Sequence, residues 1–548
     1  MEFSSFVYEG RDPVYDRRPP AAGEFYNPIL AGSYPDPSIC RAGEYYYLVN
    51  SSFSFFPGIP IFRSRDLVNW EQVGHVLDRP SQLDLDGLSV SHGIFAPDIS
   101  YHDGRFWVIT TNVYGIGNFY VTATDPAGPW SDPVVLKHVK GIDPSFFWDE
   151  DSHAYIVHNG EPPDNTPLYP GHRAVWIWEF DEKTGDVKGE GRIIVNGGTD
   201  ISQEPSWIEG PHVWKRDGYY YLSAAEGGTG PNHSQVIFRS RSVWGPYEPW
   251  AGNPSLTQRD LDPGRAEPIT SVGHADLVET PSGEWWAVFL GMRGGNTLAR
   301  ETFLLPVTFE DGWPRILKQG VAVPRILPRP ELPALSGEPP APTTGTFTWR
   351  DEFDKPVLDR SWSFLRTPRE EWWSLTEQPG SLLIRPRPVP LHSRDDKDLA
   401  ANRNPSFLGR RVQHPEFSAS TTLALGPATA DGEAGLAALQ HNENYLFLGV
   451  RVEGGRARRV FLERSAKGAA GRETVATAPL PEGASRVELR MAGRVPYYDL
   501  TYRVDGGDWK SLRQRADGTM LERGGSNFVG TYVGPYARSV APEPPPAP

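Results

Sequence analysis

The sequence predicts an all-β chain: a five-bladed β-propeller followed by a β-sandwich. Three observations predict it. An aromatic strand signature recurs five times in the first 300 residues, at 43–49, 104–109, 152–157, 218–222 and 283–288. Gly (56) and Pro (54) are both frequent, as many strands and turns require. After a proline-rich stretch the pattern changes to short alternating strands.

Residues 1 to about 28 read as an irregular lead-in to a propeller domain spanning 1–325. About ten residues before each aromatic strand lies a second motif. These motifs are Asp36-Pro37-Ser38-Ile39, Ala96-Pro97-Asp98-Ile99, Asp143-Pro144-Ser145-Phe146, Glu209-Gly210-Pro211-His212 and His274-Ala275-Asp276-Leu277. If each signature is one blade, the preceding motif is that blade's innermost strand, and Asp36, Asp143, Glu209 and His274 converge on the axis. A β-sandwich with aromatic strands is the rival architecture, and it does not explain the repeated offset. Turn-and-tryptophan segments such as Asp66-Leu67-Val68-Asn69-Trp70 and Gly128-Pro129-Trp130 recur between the signatures. The repeat is long for a four-stranded blade and implies inserted loops.

The stretch 326–345 reads as a semi-rigid, proline-rich linker. From 346 to 540, segments such as Tyr445-Leu446-Phe447-Leu448 and Val487-Glu488-Leu489 read as an antiparallel sandwich. The tail 541–548 reads as disordered.

Net charge is −15, spread along the chain, which argues against a nucleic-acid partner. No run of 18 apolar residues is present, so no membrane-spanning helix is expected. No basic region followed by an apolar run opens the chain, so a cytoplasmic protein is expected, or one whose leader has been removed. Cys40, the single cysteine, excludes an intrachain disulfide and reads as a core thiol.

Three carboxylates and a histidine in one pocket suggest acid–base catalysis. Asp36 lies between two prolines, whose stiff backbone suits a base that must hold a water in one place; a turn aspartate is the plain alternative. Asp143 repeats the Asp-Pro-Ser pattern. Glu209 follows Trp207 and Ile208, apolar neighbours that favour the raised pKa of a general acid; an ordinary exposed glutamate is the alternative. Two carboxylates across a pocket are the minimum for glycoside hydrolysis, and a third can keep the acid protonated by like-charge repulsion. Their distribution over blades one, three and four leaves room for a water and favours inversion. His274 reads as a pocket residue or as a ligand to a water-coordinated cation. Arg300 offers a guanidinium to sugar hydroxyls or to Asp36. Phe53 and Phe95 can wall a sugar face, whereas Phe55 and Phe56 read as core.

At these residues the chain resembles glycoside hydrolase family 43. The segment from Asn27 through Ile39 resembles that family's opening; Gly141-Ile142-Asp143-Pro144, Glu209-Gly210-Pro211-His212, Gly273-His274-Ala275 and Ala299-Arg300-Glu301-Thr302 match its later blocks in order. Ala434-Gly435-Leu436-Ala437 and Phe528-Val529-Gly530-Thr531 look like the jelly-roll, concanavalin-like sandwich of the family's xylosidases. The resemblance implies an inverting mechanism with Asp36 as general base, Glu209 as general acid and Asp143 as the group that tunes that acid. It also implies substrate binding by Arg300, Phe53, His274 and Phe528, the last reaching over from the sandwich. No cofactor is implied as required, although a calcium ion lies beside the matching histidine in some members. Phe95 stands where the family's xylosidases often carry Trp, and the 274–300 interval looks short, which leaves the sugar preference open.

The sequence therefore points to an exo-acting inverting glycosidase that removes a terminal pentose from a small oligosaccharide. The sugar is β-D-xylose or α-L-arabinofuranose, and self-association stays open. A retaining fructosidase lacks its Glu-Cys block here, since Gly210 follows Glu209. A sugar-binding propeller without catalysis would have lost a carboxylate.

Overall fold

The computed structural model describes residues 1–293, 298–333, 340–391, 403–426, 429–467, 471–522 and 528–540. Five antiparallel units follow one another, four of them four-stranded and the fourth with an added short strand, each with its main strands in chain order from the centre outward. Their inner strands are Ser38–Ala42, Gly93–His102, Ile142–Trp148, Glu209–Arg216 and Ile269–Glu279. The aromatic signatures form each second strand: Tyr45–Val49, Arg105–Val113, Ala154–Gly160, Tyr219–Glu226 and Trp285–Arg293. Tight turns join the two. In blade four, Asp217 (φ 49°) and Gly218 (φ 72°) both adopt left-handed backbone, as the mirror-image hairpin turns require. The five-bladed reading thus holds, with the axial strands where the repeat placed them.

The ring closes without a shared blade. Asn27 clamps the backbone of Leu304 with both side-chain atoms, donating through Nδ2 (2.8 Å) and accepting at Oδ1 (3.0 Å). The Ile29 amide donates to the Thr302 carbonyl at 2.9 Å. Glu24–Tyr26 then pairs with Ile326–Pro328. The stretch expected as a semi-rigid linker, 326–345, thus opens on a paired strand, and Thr343 Oγ1 donates to the Ile29 carbonyl. The expected disordered tail, 541–548, lies outside the described residues.

The sandwich consists of two eight-stranded sheets, and each borrows a strand from the propeller's side of the sequence. Glu2–Arg11, expected as an irregular lead-in within a propeller domain, pairs with Glu416–Ala424 on one edge and Phe347–Asp351 on the other. Phe3, Phe6 and Tyr8 are fully buried, and the Phe6 ring meets Trp362 edge-on at 5.0 Å. Burial of three large rings holds this strand in the sandwich core. Phe55–Phe56, from blade one, closes the other sheet against Ser363–Leu365, and Phe55 stacks on Tyr532 at 3.7 Å. Both phenylalanines are core residues, as expected.

A consequence is testable. Phe6→Ala removes a fully buried ring from the sandwich core, a change that typically costs about 3–5 kcal/mol. Thermal unfolding is expected to show the loss as a drop in the sandwich transition. An unchanged melt would mean that the first strand is not integral to the sandwich.

Candidate active site

In blades two to five the inner strand breaks register near the axis, whereas Asp36 lies two residues ahead of the inner strand of blade one. The ladders shift between Phe95 and Asp98, between Ile142 and Ser145, between Glu209 and His212, and between Thr270 and Asp276. A proline follows at positions 37, 97, 144 and 211, and proline has no amide to give the ladder. The extra residue of such a bulge re-aims a side chain. Asp36 (φ 52°), Asp143 (φ 54°) and His274 (φ 52°) all take left-handed backbone, as does Gly210 (φ 54°) next to Glu209. A following proline ordinarily biases a residue toward extended backbone. The left-handed conformation found instead is held by its side-chain partners, strain of the kind that collects at functional sites.

The three carboxylates meet in one cavity of about 510 Å³, lined also by Phe53, Phe95, His274, Arg300 and Phe528. All eight residues singled out from the sequence therefore reach it. Asp36 accepts from Arg300 Nη1 at 2.7 Å and from Ser51 Oγ at 2.6 Å. Burial opposes its charge, but the Arg300 guanidinium, His274 and the Ser51 hydroxyl outweigh it, and its pKa lies below the usual carboxylate value. Asp143 Oδ2 accepts only a longer bond from the Gly210 amide, 3.1 Å. Burial, then the charge of Asp36, pushes Asp143 up. Glu209 is pushed up by burial, then by Asp143 and Asp36. The site thus separates one carboxylate whose pKa is lowered from two buried carboxyls whose pKa values are raised.

The apolar wall spans both domains. Phe528 stacks near Phe53 at 6.2 Å and meets Phe95 edge-on at 5.8 Å. Its amide donates to Ser91 Oγ, just ahead of the inner strand of blade two, 3.1 Å away. The Arg300 guanidinium lies 5.4 Å from the Phe528 ring and 5.8 Å from Phe53. Arg300 Nε is buried with no acceptor among the described residues, a donor left over for a ligand hydroxyl. The sandwich is fastened by Arg366, whose Nε donates to the Leu88 carbonyl at 2.7 Å, and by Arg411, whose Nε donates to the Ser33 carbonyl at 2.8 Å.

His274 Nδ1 stands 3.9 Å from Asp36 Oδ1, and burial lowers its pKa to about 4, so it is neutral at neutral pH. The donor set around it does not fit directly ligated calcium, which takes six to eight oxygens. Asp36 is committed to Arg300 and Ser51, and no cluster of three metal-binding side chains among the described residues includes His274.

Below the pocket runs a tier that sequence reasoning missed. Two or three residues after each motif's first position come Ser38, Asp98, Ser145, His212 and Asp276. His212 Nδ1 lies 3.4 Å from Asp98 and 3.6 Å from Asp276. Burial works against its charge, yet Asp276 and then Asp98 raise its pKa to about 9. Ser38 Oγ contacts Asp276 (2.8 Å) and Asp98 (3.2 Å), and Asp98 Oδ2 accepts from the Phe146 amide. These bonds knit blades one, two, three, four and five at the axis. The signal was present in the same repeat, one step further along. Ser51 was missed as well; it lies two residues past the first aromatic strand.

A site with one ionised carboxylate and one protonated pair, walled by aromatics, is equipped to protonate a leaving oxygen while activating a water. Comparison with known proteins carries the same sense. The family described as glycosyl hydrolases family 43 matches residues 25–314, and a beta xylosidase C-terminal concanavalin A-like domain matches 350–547. A xylosidase/arabinosidase of Butyrivibrio fibrisolvens is 42% identical over 427 residues, 77% of this chain and 79% of that protein. A non-reducing end alpha-L-arabinofuranosidase of Bacteroides ovatus is 37% identical, covering 94% of this chain and 91% of that one. The crystal structure of a GH43_12 retrieved from capybara gut metagenome superposes with a TM-score of 0.88 at 38% identity, covering 98% of this chain and 99% of that one. Fold and relatives together define a glycoside hydrolase. Within that class, with both of its domains matched, the chain belongs to glycosyl hydrolases family 43.

Proposed function

We propose that this enzyme is an exo-acting, inverting glycosidase that removes a terminal pentose, β-D-xylose from xylo-oligosaccharides in the first instance and α-L-arabinofuranose as a second substrate. The observation that carries it is the opposed charge state of the two sides of one capped pocket. Asp36 is held ionised by Arg300, and Glu209 is held protonated by burial and by Asp143. Glu209 donates its proton to the glycosidic oxygen as the C–O bond breaks. Asp36 takes a proton from a water whose oxygen attacks the anomeric carbon from the opposite face. Solvent then resets both groups. Asp143 acts through Glu209, by like charge and by its bond to the Gly210 amide. Arg300 Nε is a donor for a sugar hydroxyl, and Phe53, Phe95 and Phe528 receive the ring's apolar face. Phe528 closes the pocket from the sandwich, which favours a chain end over a polymer interior. The arabinofuranose activity is supported by relatives named for both sugars and by Phe95, a smaller ring than tryptophan.

The test is a panel of aryl glycosides, run with and without a chelator, with the first-formed product followed by NMR. Aryl β-D-xyloside and α-L-arabinofuranoside are expected to exceed the hexopyranosides by roughly a hundredfold, the scale on which a pocket rejects one extra carbon group. The xyloside is expected to release α-xylose first, with no loss of rate to the chelator. Net retention would overturn the assignment of the two carboxylates, and preference for a hexoside would overturn the pentose reading.

A further inference from the structure

Trp207 is a large ring in an unusual place. It lines the cavity yet is 39% exposed, and its backbone is left-handed (φ 51°). A bulky residue with that backbone is a genuine outlier. The surroundings hold it all the same. Its amide donates to the Gly171 carbonyl at 2.9 Å, and the Ser206 carbonyl accepts from the Gly227 amide at 2.8 Å. Gly171 (φ 82°) makes the seat: a Cβ at that position would stand 2.8 Å from Ser206 Oγ and 3.3 Å from the indole Cδ1. The Arg173 guanidinium backs the ring at 5.1 Å. Arg173 is itself pinned by Asn159 Oδ1, at 3.1 Å from Nε and 2.9 Å from Nη2, and Asn159 Nδ2 donates to the Ile208 carbonyl. One chain of bonds therefore fixes the indole and the strand that carries Glu209.

We infer that the Trp207 indole is the platform of a leaving-group subsite, where it receives the apolar face of a pyranose ring in the sugar from which the terminal residue is cut. This rests on the pentosidase reading and extends it from the sugar removed to the sugar left behind. The direction follows from chemistry. The leaving oxygen must lie against Glu209 to take its proton, so the leaving sugar lies on the Glu209 side of the cavity, and Trp207 is two residues away. The other side is filled by Asp36, Arg300, Phe53 and Phe528, which contact one another. An exposed aromatic face, fixed in advance, costs a ligand little ordering when it stacks.

The experiment compares two substrates. Xylobiose fills the leaving-group subsite; β-D-xylopyranosyl fluoride has a single leaving atom and does not. Trp207→Ala is expected to lower kcat/KM on xylobiose about tenfold and to leave the fluoride within about twofold. The inhibition constant of free xylose is expected to stay unchanged, and Trp207→Phe to recover most of the loss on xylobiose. The unchanged fluoride rate doubles as the control for folding. Equal losses on both substrates, or none on xylobiose, would overturn the inference while the pentosidase reading stands. A wild type that cleaves neither substrate would instead overturn that reading, and this inference with it.

Discussion

Asp36→Asn is expected to lower kcat/KM on the order of 10³-fold, on activated aryl pentosides and on disaccharides alike. The substitution preserves shape. An asparagine oxygen still accepts from Arg300, and its amide can still meet Ser51, the two partners that fix the aspartate at 2.7 and 2.6 Å. What disappears is the proposed proton acceptor, and activation of water is required whichever group departs. A second effect follows from charge. Asp36 is one of the like charges that raise Asp143 and Glu209, and it neutralises Arg300. Without it Asp143 and Glu209 are raised less, so the basic limb of the residual pH profile is expected to move to lower pH. Kinetics of the purified variant across pH check both points. A loss confined to substrates with poor leaving groups would make Asp36 the acid, and wild-type rates would remove it from the chemistry.

Much of this site was legible because the propeller repeats its own geometry. Asp36, Asp143, Glu209 and His274 lie at or just ahead of the inner strands of four blades, so a fixed offset from the aromatic strand located them without knowledge of any long-range contact. The next tier, Asp98, His212 and Asp276, was written in the same motifs. It escaped notice because its partners lie in neighbouring blades, and a single inner strand shows only one member of the triad. The N-terminal strand was hidden for a different reason. Its buried rings fall at 3, 6 and 8, and the ladder shifts register between Phe3 and Ser5, so the two-residue alternation that marks a half-buried strand is broken. Its partner lies some 400 residues away, at Glu416–Ala424. Trp207 looked like apolar insulation for Glu209, and only its exposure and backbone set it apart.

Removing Glu209, the proposed acid, should produce the opposite pattern from removing Asp36, the proposed base. Glu209→Gln keeps the volume and the neutral form of the side chain, so binding is expected to survive, while proton donation is lost. On a disaccharide, whose departing alkoxide needs a proton, kcat/KM is expected to fall by about 10³–10⁴-fold. On an aryl pentoside with a stable phenolate, far less is expected to be lost, because the leaving group departs unaided. The basic limb of the pH profile belongs to the Glu209–Asp143 pair and is expected to vanish on the aryl substrate. The acid limb, set by protonation of Asp36, is expected to remain. Stability supplies an independent readout. The folded-state pKa of Glu209 is raised, so its contribution to stability is fully present below the unfolded value and is lost as pH rises through the folded one. A buried carboxylate then strains the native state, and a glutamine does not. Thermal unfolding should therefore find Glu209→Gln more stable than wild type in alkaline buffer and closer to it in acid. Asp36 carries the reverse sign: its lowered pKa stabilises the fold above the unfolded value, and that contribution is lost as pH falls through the folded one. Asp36→Asn is accordingly expected to gain no such stability in alkaline buffer. An enzyme in which both variants lose activity equally on all leaving groups, or in which Glu209→Gln gains no stability at high pH, would not hold its acid protonated in the way this pocket requires.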